Sequence, residues 1–202
     1  MSDEILIFPT DEKPSRADAI RNRRRLLEIA RQMLDDGTLE VSTMSDIART
    51  AGVGKGTLYR HFADKSELCH ALLDEAMRDF QARTLSALGS GHLPAATLRW
   101  FLSETLAYVE RHSQALHEAA ARSRPADMLG HPAHLWWRQT IRGLLEQCGL
   151  RQDVDYLADV LYVMIDIQTV RFQQQRGSSR ASLEQGLLTL LDGILATRPA
   201  TD

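Results

Sequence analysis

The feature that most constrains this chain is a pair of short helical stretches divided by one glycine. They lie within TMSDIARTAGVGKGTLYRHFADKSEL, Thr43 to Leu68. Thr43 followed by Asp46 has the spacing of a capping box, with Asp in the usual Glu place. Ile47, Ala48 and Ala51 then mark one brief helix, Met44 to Ala51. Gly52 breaks it, because the tight turn that follows needs a residue tolerant of φ > 0. A second brief helix is expected from Lys55 to His61. Ala48 and Ala51 are small enough for the two helices to approach closely. Val53, Leu58 and Phe62 are spaced to plug a small three-helix core.

Around this unit the chain reads as helix throughout, so the expected fold class is all-α. Residues 1–15 read as a mobile tail, with Pro9, Pro14 and no sustained period. From Arg16 to Asp36, Ile20, Leu26, Leu27, Ile29, Ala30, Met33 and Leu34 fall largely on one helical face, and Gly37 stops that helix. Asp64 followed by Glu67 opens a long helix from Lys65 towards Leu88. Further helices are expected at about Ala95–Arg111, Gln114–Arg122, Pro132–Gln147, Asp153–Gln174 and Ser182–Ala196. Pro125, Gly130, Gly149 and the Gly177–Ser179 cluster mark breaks. The domain expectation is a helix-turn-helix head over 16–64 and a helical body over 65–202.

Charge is distributed to match. The whole chain carries a formal −3. From Lys13 to Lys65, eleven Lys or Arg face seven Asp or Glu, whereas from Ser66 onward thirteen face sixteen. A basic front and an acidic back suit a nucleic-acid reader fused to something else. The second short helix is the informative surface. Lys55, Thr57, Tyr59, Arg60 and His61 carry cations or donors, and Gly54 and Gly56 let backbone come close to a phosphate or base edge. The run Arg21, Arg23, Arg24 and Arg25 adds candidate phosphate contacts, which implies strong salt dependence.

These residues resemble the DNA-binding motif of the TetR family of transcriptional repressors. DIARTAGVGKGTLYRHFADKSEL follows that pattern almost residue for residue, and RRRLLEIARQMLDDG (Arg23 to Gly37) resembles its first helix. The resemblance covers about Arg16 to Leu73; beyond it only length and helical character agree. It implies a positioning helix at Met44–Ala51 and a recognition helix at Lys55–His61. By the same resemblance Thr43, Tyr59, His61 and Lys65 contact phosphates, while Lys55, Gly56, Thr57 and Arg60 sit at or near base edges. Because Gly54 and Gly56 offer no side chains, readout rests on Lys55, Thr57 and Arg60, supplemented by DNA shape. The implied partners are double-stranded operator DNA, a small-molecule ligand and a second copy of the chain. The implied action is that of a cytoplasmic repressor released from a palindromic operator.

The body is less legible. Asp153–Gln174 is apolar nearly all round and is expected to be buried on every side, against its own core and a partner subunit. With Ser182–Ala196 it forms, by resemblance, the homodimer interface. Ligand-lining candidates are Trp100, Tyr108, His112, Trp136, Trp137, Tyr162 and Asp166, with Phe101, His117, Tyr156 and Met164 behind them. Aromatic residues at helical spacing are more often plain core. Asp166 stands out because it interrupts an apolar helix, where a buried carboxylate needs a partner. Arg142, Arg171, a basic ligand or exposure at a crevice would each serve. His131 and His134 are three apart but spacing fixes no third ligand, so no metal site and no cofactor are expected. Cys69 and Cys148 form no CxxC, and no membrane span or signal peptide is read. An all-α enzyme and a protein-interaction module are the alternatives. Against the first, the sequence lacks G-x-S-x-G, HExxH, P-loop and GxGxxG patterns.

Overall fold

The computed structural model describes residues 15–120 and 132–197. The tail expected over 1–15 therefore lies almost wholly outside the described residues, as do Arg122, Pro125, Gly130 and His131. The described residues form ten helices and no strand. They are α1 (Arg16–Asp35), α2 (Met44–Ala51), α3 (Lys55–His61), α4 (Lys65–Gly89), α5 (Pro94–Arg111), α6 (Ser113–Ala120), α7 (Pro132–Gln147), α8 (Val154–Ile165), α9 (Ile167–Gln175) and α10 (Arg180–Ala196).

The punctuation read from sequence is made by local hydrogen bonds. Ser15 and Asp18 close a capping box on α1, and Thr43 and Asp46 close another on α2. The Asp64 carboxylate accepts from the Glu67 backbone N–H at 2.9 Å, starting α4. Gly52 sits at φ +65°, where a side chain is strained, and its N–H donates to the Arg49 carbonyl.

Two hydrophobic clusters result. The head cluster joins Leu26, Leu27, Ala30 and Leu34 of α1 to Ile47, Ala48, Ala51, Leu58 and Phe62. It does not stop at residue 64. Leu68, Cys69 and Leu72 of α4 belong to it, and so do Ala115 and Ala119 of α6. Body helix α6 is thus sealed into the head. The body cluster is built on Phe80, α5, α7, α8, α9 and α10.

Two expectations are corrected. Ile20 is exposed, because α1 reaches the core only from Leu26 onward. The helix expected over Asp153–Gln174 is two helices. Asp166 takes an extended conformation (φ −63°, ψ 142°), and its carboxylate accepts from the Gln168 N–H at 2.9 Å to start α9. The sequence's puzzling carboxylate is therefore an N-cap, half-buried, and no buried ion pair is needed. Within one chain, part of the apolar surface of this region stays open. Tyr156, Val163 and Phe172 are 70%, 52% and 55% exposed.

Candidate nucleic-acid interface

α3 is held by Leu58, which is fully buried, and by the Phe62 ring at its C-cap. Lys55, Gly56, Tyr59 and Arg60 face solvent, and Thr57 and His61 are partly exposed. Tyr59 is 52% exposed, a large aromatic left in water on a helix that has a core to pack against. Gly54 supplies the N-cap with no side-chain bond, so the first N–H groups of α3 are left open. A Cβ added at Gly56 would meet nothing within 4 Å, so backbone there is open to close approach.

The charged groups differ in freedom. Arg60 lies back along the helix, its Nε donating to the Gly56 carbonyl at 3.3 Å and its guanidinium to Thr57 Oγ1 at 3.2 Å. This ties two of the three candidate base readers together and leaves Lys55 projecting alone at the N-terminal end. Arg23 stacks over the Phe62 ring, 4.8 Å from its centroid, at the junction of α1 and α3. The Arg25 guanidinium approaches the turn, 3.2 Å from where a Cβ at Gly52 would stand. Arg21 pairs with Asp18, and Arg24 is exposed. Burial, then the Arg23 and Arg60 cations, hold the His61 imidazole below its ordinary pKa.

Thr43 and Lys65 are placed differently. The Thr43 hydroxyl donates to Asp46 and accepts from the Asp46 N–H. The Thr43 hydroxyl, then its backbone N–H, hold the Asp46 carboxyl below the usual carboxylate range. Lys65 is mostly covered. Its Nζ donates to the Glu40 carbonyl at 2.8 Å and to Glu118 on α6 at 3.2 Å. It sits where head and body meet. There Ser66 Oγ also donates to the Ala119 carbonyl, Gln114 to the Gly37 carbonyl, and Arg171 of α9 lies 3.9 Å from Glu40.

Of the ligand-lining candidates, five join one ring cluster. Tyr108 contacts His112 at 4.6 Å and Trp137 at 5.7 Å, and Trp137 lies 6.3 Å from Tyr162. Trp136 reaches the cluster through Phe80 and Phe101, each at 5.7 Å. Trp100 packs, partly buried, elsewhere against the body core. Phe80 of α4 and His134 of α7, which are not among the ligand-lining candidates of the sequence, also belong to this cluster. Tyr108 and His112 also line an open cleft of about 1120 Å³ between α1, α4 and α5. Its other walls are largely Arg and acidic side chains, including the Arg31–Glu75 and Arg83–Glu104 pairs. Burial, then Arg111, push the His112 pKa down to about 4. Among the described residues no three His, Cys, Asp or Glu side chains gather to hold a metal ion, and no helix is long and apolar enough to cross a membrane.

Comparison with known proteins bears on the same surface. Residues 26–72 match the family model for bacterial regulatory proteins of the tetR family. An HTH-type transcriptional regulator of Staphylococcus aureus (strain bovine RF122 / ET3-1) is 46% identical over 65 residues, 32% of this chain and 35% of that one. A second, from strain USA300, is 45% identical over 65 residues. The match thus spans about a third of the length of these curated relatives. Solved structures extend the likeness to the whole fold. A transcriptional regulator from Rhodococcus sp. Rha1 aligns with TM-score 0.68 at 21% identity, covering 89% of this chain and 99% of that one. A regulator from Saccharomonospora viridis, solved in complex with choline, aligns with TM-score 0.67 at 21% identity, covering 86% and 96%.

Proposed function

The chain belongs to the tetR family of bacterial regulatory proteins, and from that premise we propose that it is a dimeric, ligand-released repressor of transcription acting in the cytoplasm. The observation that carries this reading is the solvent face of α3. One residue anchors the helix, and nearly everything else on it is a cation, a hydroxyl or bare backbone. α2 positions this face. Lys55 and the paired Thr57 and Arg60 read base edges in the major groove, and Tyr59, His61, Thr43 and the arginines of α1 hold phosphates. Lys65 serves by fixing the start of α4 more than by reaching phosphate, since its ammonium is already engaged.

Two heads reading one palindrome need a two-fold axis. The uncovered apolar side of α8, α9 and α10 supports it as the dimer face. Val163, Met164 and Phe172 are exposed there, beside partly covered Leu183 and Leu190. A ligand in the body releases DNA only by binding one head arrangement better than the other. α6 is the element through which it acts, because Ala115 and Ala119 lie in the head core.

Selection of duplexes from random DNA by the purified protein tests the reading, and a palindrome with half-sites one helical turn apart is the expected product. Tyr59→Ala is then expected to weaken operator binding roughly tenfold in a gel shift at physiological salt, with the dimer still folded. A chain indifferent to every duplex at low ionic strength, or a Tyr59→Ala variant as tight as the parent, overturns it.

A further inference from the structure

Almost every buried polar side chain in the body core finds a carbonyl. Thr84 donates to Phe80, Thr97 to Leu93 and Thr105 to Phe101, each to the residue four back. The Tyr108 hydroxyl crosses to the Leu73 carbonyl at 3.2 Å. Two donors in one corner do not. Trp137 Nε1 and the Tyr162 hydroxyl are buried with no hydrogen-bond partner, and each side chain is 2% exposed. Their rings form a triangle with the His134 ring, with sides of 5.4, 5.9 and 6.3 Å. Buried donors are normally paired, so two unpaired ones side by side point to an occupant that accepts.

We propose that this corner of α7 and α8 is the ligand-recognition site, and that its ligand is an uncharged, planar aromatic molecule presenting a carbonyl acceptor to Trp137 and Tyr162. The inference deepens the reading of the body as a ligand sensor and rests on it. Ring walls select a flat apolar body. The indole N–H can only donate, so the ligand must supply the acceptor. Charge narrows the class further. The Asp166 carboxylate stands close enough to act on the Tyr162 hydroxyl, and it repels an anion. Burial, then Asp166, raise the Tyr162 pKa, as such a setting demands. A cation would leave both donors unpaired.

Matched probes test this on the full-length dimer by tryptophan quenching and calorimetry. Acetophenone and flavone are compared with ethylbenzene and flavan, which lack the carbonyl, and with benzoate and benzyltrimethylammonium. Each carbonyl compound is expected to bind at least tenfold tighter than its deoxygenated counterpart. Tyr162→Phe removes the hydroxyl and keeps the ring, while Trp137→Phe removes the indole N–H together with part of the ring system, and both should erase that preference. Unliganded, Tyr162→Phe should melt no lower than the parent, because it loses an unpaired buried donor and keeps its volume; a merely structural role would lower the melting temperature. Equal binding within each pair, as a water-filled corner would give, overturns the proposal. So does preference for benzoate or the quaternary ammonium, or binding of no probe at all. Operator selection is scored separately: a recovered operator without carbonyl binding sinks only the ligand class, whereas carbonyl binding without an operator sinks the regulator.

Discussion

Head and body both bury leucines, yet they leave opposite things unfinished. In the head the buried set is mostly aliphatic, with Phe62 its one ring, and Ala30, Ala48, Ala51, Ala115 and Ala119 let helices close on one another. The starts of α1, α2 and α4 are capped within three residues, and the head's outer face is polar and cationic. The body buries a chain of rings from Phe80 to Tyr162, strands two donors inside it, and leaves Val163, Met164 and Phe172 in water. A small core that its own chain closes, with α6 as the last wall, can spare a face for a polyanion. A core that ends in exposed apolar surface and unpaired donors is completed by something else, a second copy on one side and a ligand on the other.

The sharpest way to break that contrast is to charge the body's outer face. Val163→Glu with Phe172→Glu places two unpaired carboxylates per subunit in the proposed interface, at a cost of about 3 kcal/mol or more each. Sedimentation should show monomers, and operator affinity should fall although the head is untouched. A variant that remains dimeric moves the interface elsewhere. Next in size is Leu58→Ala, which empties the anchor of α3 from the head core and should cost about 3 kcal/mol. Calorimetry should show the head melting earlier with the body transition nearly unmoved. A single transition shifted as a whole would mean that α6 welds the two cores into one cooperative unit.

The smallest effect is a titration. His112 has a folded pKa of about 4 against an ordinary 6.5, so the unfolded chain takes up a proton that the folded one refuses. This contribution is fully present above pH 6.5 and is lost as pH falls towards 4. After allowance for partial exposure it amounts to about 2 kcal/mol. Melting temperatures between pH 7.5 and pH 4.5 should therefore decline, and His112→Gln should flatten the decline. An unchanged slope in that variant would assign the acid sensitivity to other groups.

The head was readable because its signals are short in range. A capping box spans four residues, and the turn at Gly52 needs a positive φ wherever it occurs, so α2, α3 and their bounds follow from adjacent letters. The body's ligand candidates were readable only as a set of aromatics, because ring contacts join residues far apart in sequence. Phe80 and Tyr108 stack at 5.7 Å from separate helices, and no spacing rule pairs them. Asp166 shows the same limit from the other side. Its apolar neighbours match one continuous helical stripe, and nothing local distinguishes a capping carboxylate from an interior one.

By itself, then, the sequence determined the all-α character, the helix-turn-helix and the side chains its second helix offers to solvent, since hydrogen bonds and periodicity within a few residues decide them. Tertiary structure alone decided that α6 closes the head core, that Lys65 is spent on Glu40 and Glu118, and that Trp137 and Tyr162 share a corner without partners. Those facts depend on which distant helices meet, and the packing of the whole chain sets that.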